Sequence, residues 1–252
     1  MLAGIRCLNG NTIKVIALIA MTIDHIGYLF FPEVTILRVI GRLAFPLFAF
    51  MIADGCYYTH SRKKYALLIG AVALLCQIVY YIADGSLYMC VLVDFLIAIL
   101  IIFCLQDLFG AGRAETRENA SKISSMHYAY VVPIIALVAV TAFISYVLPH
   151  ICSSSTLYFD YSFFGVMLPV AVFIPRLFVK DDKKLIPMQC IFMAIMLIFI
   201  AIELKFVQWA GLFSIIFILL YNGQRGKLKL KYLFYIYYPL HLGILYLLSE
   251  LF

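Results

Sequence analysis

Nine long apolar stretches separated by short polar segments set the pattern of this chain. They run near 13–31, 36–58, 65–82, 87–109, 127–148, 157–178, 187–204, 206–222 and 232–251. Crossing about 30 Å of hydrocarbon takes roughly 20 such residues in a helix. The pattern therefore predicts an all-α fold, a polytopic transmembrane bundle of about nine helices. The stretches 187–204 and 206–222 meet at Glu203 and Lys205, which leaves only a very tight turn. The first stretch is followed by others and has no small-residue cleavage signal, so it reads as an uncleaved first helix.

Composition strengthens this reading. The 252 residues are 65% hydrophobic and 13% charged, with a mean hydropathy of +1.05. Soluble domains run at about 45–50% and about 25%, so a bilayer must take up the apolar surface. The net charge of +6 gains its meaning from position. Sixteen of the nineteen Lys and Arg residues fall at the N-terminus or in every second connection, leaving out Arg38, Arg42 and Lys205. The positive-inside rule then puts the N-terminus in the cytoplasm and the C-terminus outside. No long basic stripe is present, so nucleic acid is not an expected partner. Residues 1–252 read as a single transmembrane domain, with 110–126 as a cytoplasmic linker between the fourth and fifth helices. The seven cysteines are an odd number without a CxxC pair. Neither a disulfide framework nor a metal site is expected.

Ionisable groups at membrane depth are costly and usually mark function. His25 lies six residues short of the outer end of the first helix, at Phe31. Arg42 is six residues into the second helix, Asp94 seven into the fourth, and Gln77 five short of the end of the third. At about 1.5 Å per residue these four lie roughly 7–11 Å below the outer face. His241, nine residues into the last helix, is near the midplane. A shared polar site in the outer half of the bundle is one reading. The other is a set of separately satisfied helix contacts. Asp24 neighbours His25, but adjacent helical residues do not face each other. The partner of His25 must come from another helix, with Arg42, Asp94 and His241 as candidates. Asp24 itself suits a cap or an ion pair with Arg38.

Pro46 and Pro239 each remove a helix donor, freeing the carbonyls of Arg42 and Tyr235. They read as ordinary kinks or as flanks of the polar site. Asp54 is expected to pair with Arg62 or Lys63, with a cytoplasmic entrance as the alternative. The segment Asn222-Gly223-Gln224-Arg225-Gly226-Lys227 joins exposed backbone N–H groups to cationic side chains, a combination that suits phosphate. Composition alone favours the positive-inside rule as its explanation.

Three runs carry a resemblance when taken together. They are Asp24-His25-Ile26-Gly27, then Gly41-Arg42-Leu43-Ala44-Phe45-Pro46, and Tyr221-Asn222-Gly223-Gln224-Arg225-Gly226 followed by Tyr238-Pro239-Leu240-His241. Together they resemble the TraX family of membrane proteins, with a variable middle around 110–200. The resemblance implies a multi-pass protein of the bacterial inner or plasma membrane. It also implies acetylation of the pilin N-acetylation kind, in which an acetyl group passes from acetyl-CoA to an acceptor. That acceptor is a protein N-terminus, glycan or lipid at the outer face. The expected catalytic group is His25, with Arg42 and Asp24. Asp94, His241, Tyr238 and Gln77 are the expected substrate-binding residues. Arg225, Asn222 and Lys227 are those for acetyl-CoA. The alternatives are a small proton-coupled transporter and a non-catalytic assembly factor.

Overall fold

A computed structural model of the chain describes residues 6–85, 87–109, 127–152, 157–204, 206–227, 231–249 and 251. The expected linker at 110–126 and the turn residue Lys205 lie outside them. Among the described residues the chain is helical, and the only β pairings are two isolated bridges, Leu8–Tyr221 and Met89–Phe159. Helix α1 spans Gly10–Leu29, α2 Thr35–Gly41, α3 Ala44–Tyr58, α4 Arg62–Asp84 and α5 Val91–Phe109. Then come α6 (Val131–Ala142), α7 (Leu148–Ile151), α8 (Ser162–Phe173), α9 (Pro175–Phe178), α10 (Asp182–Leu204), α11 (Ser214–Leu219) and α12 (Lys231–Ser249).

Helical structure overlies each of the nine apolar stretches. Among the described residues, six segments are long and apolar enough to cross a membrane: Gly10–Leu29, Thr35–Tyr58, Arg62–Ile82, Val91–Phe109, Val131–Ile151 and Lys183–Leu204. Ser162–Phe178 and Val207–Leu219 are apolar but shorter. The shortening has local causes. The stretch near 157–178 turns at Asp160 and Tyr161, and Ser162 enters α8 with a left-handed φ of 56°. The stretch near 206–222 is a 3-10 turn, Phe206–Phe213, before it becomes α11. Between α6 and α7 the helix widens to a π turn over Phe143–Val147. Pro149 follows two residues after it and has no N–H to give back to that turn.

The second apolar stretch is two helices, not one. The break falls at Arg42 and Leu43. Pro46 therefore sits in the first turn of α3, where a missing N–H costs little. The kink expected at Pro46 thus lies four residues earlier, and the proline starts a helix instead of bending one.

Many large apolar side chains face outward although the core is also apolar, and several polar groups are buried. Leu67, Leu74, Ile78 and Ile82 form an exposed apolar stripe on α4, while Arg42, Asp54, Asp94, Gln106 and His241 are buried. Such a surface suits lipid, and lipid cannot hydrate the polar groups inside.

The helices fall into two compact units, Met1–Met51 with Asp181–Phe252, and Ile52–Lys180. In the first, α1 packs on α2 and α12, and α10 packs on α11 and the 3-10 turn. In the second, α5 packs against α4, α6 and α8. Its buried Phe95, Ala98, Ile99 and Ile102 supply much of that unit's core.

Candidate functional site

In the first unit, α1 organises the polar groups. Asn9 caps it, accepting from the Thr12 N–H at 3.1 Å. The helix then carries Thr22, Asp24 and His25 toward its far end. Asp24 accepts from Nη2 of Arg42 on both carboxylate oxygens, at 2.6 Å each. It also accepts from Nη1 of Arg38 at 2.7 Å, and the Asp24 carbonyl takes the same nitrogen at 3.2 Å. One carboxylate thus serves two guanidiniums, which leaves the triad with a net positive charge. Side-chain exposure falls from 28% at Arg38 to 13% at Asp24 and 9% at Arg42. Arg42 is therefore the inner arginine and Arg38 the outer one. Arg38 also lies 5.1 Å from the ring centre of Tyr28, an exposed aromatic of the kind found at membrane interfaces.

Gly41 makes this triad possible. A Cβ at Gly41 would lie 2.1 Å from Asp24 Oδ1 and 2.2 Å from Asp24 Cβ. Gly41→Ala is thus expected to push α2 off α1, at about 1–3 kcal/mol for overpacking. The measurement is thermal unfolding in detergent, and an unchanged transition would mean that the crossing has slack.

His25 faces α12. Its Nδ1 lies 3.0 Å from Nε2 of His241, with ring centres 5.0 Å apart. Nδ1 of His241 reaches the Tyr237 carbonyl at 3.0 Å. Tyr237 stacks on His241, with ring centres 5.2 Å apart and planes 11° apart, and Tyr238 meets the imidazole edge-on. The Tyr237 hydroxyl lies 2.6 Å from that of Thr22, which donates to the Leu18 carbonyl at 2.9 Å. Thr22 has spent its proton there, so Tyr237 is the donor between them. His241, one of the three partners expected for His25, is in hydrogen-bond contact with it. Asp24 makes the ion pair expected with Arg38, and Arg42 joins it. Tyr237 and Thr22 were not singled out in the sequence. The signal was spacing: Thr22 precedes His25 by three residues and Tyr237 precedes His241 by four, each pair on one helix face.

The segment 222–227 lies at the other end of α1. The N–H groups of Gly10 and Asn11 donate to the carbonyls of Gln224 and Arg225, at 2.7 and 3.0 Å. Asn222 N–H donates to the Leu8 carbonyl at 2.8 Å, and its side chain accepts from Gln224 N–H at 2.9 Å. Gly226 takes φ +92°, and a Cβ there would lie 2.5 Å from the Asn9 side chain. Asn222 thus serves the turn, and the first amides of α1 are already engaged. Arg225 and Lys227 are the exposed cations. From Gly10 to His25 is fifteen residues, about 22 Å along the helix.

The remaining expected residues belong to the second unit. Gln77 donates to the Tyr88 carbonyl at 2.6 Å and accepts from Cys90 N–H at 3.3 Å, tying α4 to the connection before α5. Asp94 is fully buried and accepts from Tyr161 N–H at 3.3 Å. Asp160 accepts from the Tyr88 hydroxyl. Asp54 corrects the expectation: its partner is Arg176, not Arg62 or Lys63. Arg62 pairs instead with Asp107 near the end of α5, because α4 and α5 pack together. Arg176 also lies 4.4 Å from the ring centre of Tyr57. Both members of the Asp54 pair are buried.

A helical membrane protein with polar groups locked inside is the class that this fold and site define. The particular family follows from comparison: the family model described as TraX protein matches residues 9–249, and the chain belongs to that family. Two curated relatives match over shorter stretches. The chain is 45% identical over 64 residues to "Uncharacterized protein RP591" of Rickettsia prowazekii (strain Madrid E), covering 25% of each chain. It is 37% identical over 68 residues to "Probable fimbrial assembly protein FimC, serogroup H1" of Dichelobacter nodosus, covering 24% of this chain and 28% of that one. The match thus spans about a quarter of the length of these relatives. No solved structure matches the chain.

Proposed function

We propose that this protein is an integral membrane acyltransferase that moves an acetyl group from cytoplasmic acetyl-CoA to an amine or hydroxyl at the outer face or in the membrane. The observation that carries this is the pairing of His25 with His241 directly beside a net-positive Asp24–Arg38–Arg42 triad. His25 takes the proton of the acceptor as its nitrogen or oxygen attacks the thioester carbonyl. The oxyanion that forms is stabilised by the positive triad, in a site with little water to screen it. The carbon–sulfur bond then breaks, and the imidazolium returns its proton to the leaving thiolate. Family membership supports a pilus-related setting, and the partial likeness to a fimbrial assembly protein points the same way. The acceptor we favour is therefore the amine of a surface-fibre subunit.

The topology that fits this reading has nine crossings, the N-terminus inside and the C-terminus outside. It is supported by helical structure over each apolar stretch and by the bias of Lys and Arg. The donor would enter at the basic end of α1. Arg225 and Lys227 suit its phosphates by charge, although the engaged amides of Gly10 and Asn11 add nothing there. In proteoliposomes given radiolabelled acetyl-CoA inside, label should appear on an acceptor outside. Arg225→Ala should raise the KM for acetyl-CoA about tenfold, the lower end for a hydrogen bond to a charged group, with kcat kept. An unchanged KM would reduce that loop to a topology signal. A second reading, favoured by the relative's printed description, is a non-catalytic factor for fibre assembly. It predicts subunit binding that survives loss of His25 without any label transfer.

A further inference from the structure

We infer that His241 is a positioning residue that fixes the tautomer of His25, so that His25 works through Nε2. The inference starts from a backbone group with only one possible role. The Tyr237 carbonyl can only accept, so Nδ1 of His241, 3.0 Å away, carries a proton. A neutral imidazole has one N–H, so Nε2 of His241 presents a lone pair. Nδ1 of His25 lies 3.0 Å from that lone pair and must be the donor. The single proton of neutral His25 is then on Nδ1, and its Nε2 is a bare base. An imidazole without such a partner prefers the opposite arrangement, with its proton on Nε2. In that form His25 could not accept the acceptor's proton through Nε2.

Two features hold the relay in register. Tyr237 stacks on the His241 ring, which fixes its plane. The same Tyr237 sends its hydroxyl to Thr22, one turn before His25 on α1. Tyr237 therefore anchors both hydrogen-bond chains between α12 and α1, and neither helix can slide without breaking both. The buried His241 serves the reaction without touching the reacting atoms, as an orienting partner does in a catalytic triad.

The value of Nε2 as a base rests on the acyl-transfer reading, whereas the tautomer does not. The test is nitrogen NMR of histidine-labelled protein in lipid nanodiscs, with His25 assigned by its loss in His25→Ala. The parent protein should show His25 protonated on Nδ1. His241→Gln can place an amide oxygen where Nε2 was, and should keep that tautomer. His241→Asn reaches only the Nδ1 position, and His241→Phe has no acceptor. Both should move the His25 proton to Nε2. In transfer assays the same two variants should lose kcat by about 10²–10⁴-fold, the worth of general-base help, with the KM for acetyl-CoA unchanged. A role in packing alone would treat Gln and Asn alike. A parent His25 protonated on Nε2, or a tautomer unmoved in His241→Asn, would overturn the inference. Should His241→Phe fail to fold, the parent tautomer and the Gln–Asn contrast still decide. The expected tautomers in a parent protein that transfers no acetyl group would refute the acyl-transfer reading and leave the positioning role standing.

Discussion

Replacing His25 with alanine is expected to cut acetyl transfer by about 10²–10⁴-fold, the range general-base help supplies, while the helices stay assembled. The assembly half of this expectation can be argued from the contacts. His25 makes one hydrogen bond across to α12, and His241 keeps its other one, to the Tyr237 carbonyl. The Thr22–Tyr237 contact remains, so α1 and α12 stay clamped one turn away. Alanine is also the best helix former, and α1 gains slightly in propensity. The cost is the unmet Nε2 of buried His241, about 1–3 kcal/mol. The chemical half separates cleanly from it. Label transfer from acetyl-CoA should collapse in kcat, whereas acetyl-CoA should still protect the Arg225 loop from lysine- or arginine-directed reagents. Full transfer by the alanine variant would remove His25 as the base, whatever its contact with His241.

That the expected base meets a histidine from the last helix was partly legible in the sequence, and the limit is instructive. Hydropathy located the long helical stretches because lipid faces whole apolar segments, and the signal is long. Depth counting put His25 and Arg42 at one level because both are referenced to the same face. It placed His241 lower, at the midplane. It had no means of telling which groups at similar depth would touch, since depth fixes one coordinate of three. Gln77 and Asp94 illustrate this. Gln77 bonds backbone groups of Tyr88 and Cys90, whereas Asp94 accepts from Tyr161 N–H on one oxygen and buries the other, Oδ1, without a hydrogen-bond partner among the described residues. Asp54 shows a second limit. Nearness in sequence suggested Arg62 or Lys63, yet helix packing gave Asp54 to Arg176 and Arg62 to Asp107. The break at Arg42–Leu43 was hidden because proline is the usual sign of a kink, and here it only starts the next helix. Loop 222–227 is a third case. Its glycines looked like a phosphate cradle. Of its own amides, those of Asn222 and Gln224 are engaged by the Leu8 carbonyl and the Asn222 side chain, pairings that composition does not reveal.

Asp24→Ala should be among the most destabilising substitutions in the first unit. It leaves Arg38 on α2 and Arg42, four residues later and just past the end of that helix, without the carboxylate that both contact. Breaking a buried pair by removing one member costs about 3–5 kcal/mol, because the remaining charge is uncompensated. Partial exposure of Arg38 lowers its share through solvent screening, so Arg42 carries most of the penalty. The position of Arg42 just past the end of α2 recovers a little, since a cation there meets the carbonyl end of the helix. This predicts a particular pattern across variants, read as thermal unfolding in detergent. Asp24→Ala should lower the transition sharply, and adding Arg42→Met to it should restore much of the loss, because the double variant no longer buries the inner guanidinium away from its carboxylate. Arg42→Met alone should be milder than Asp24→Ala, since Arg38 still neutralises Asp24. If the double variant were no more stable than Asp24→Ala, the cost would lie in packing around Gly41 and not in charge. The same series bears on chemistry. The stability-rescued double variant lacks the inner arginine, so it should fold and yet transfer acetyl groups poorly. Stability and transfer would then part company at Arg42, as they must if its charge serves the oxyanion as well as the fold.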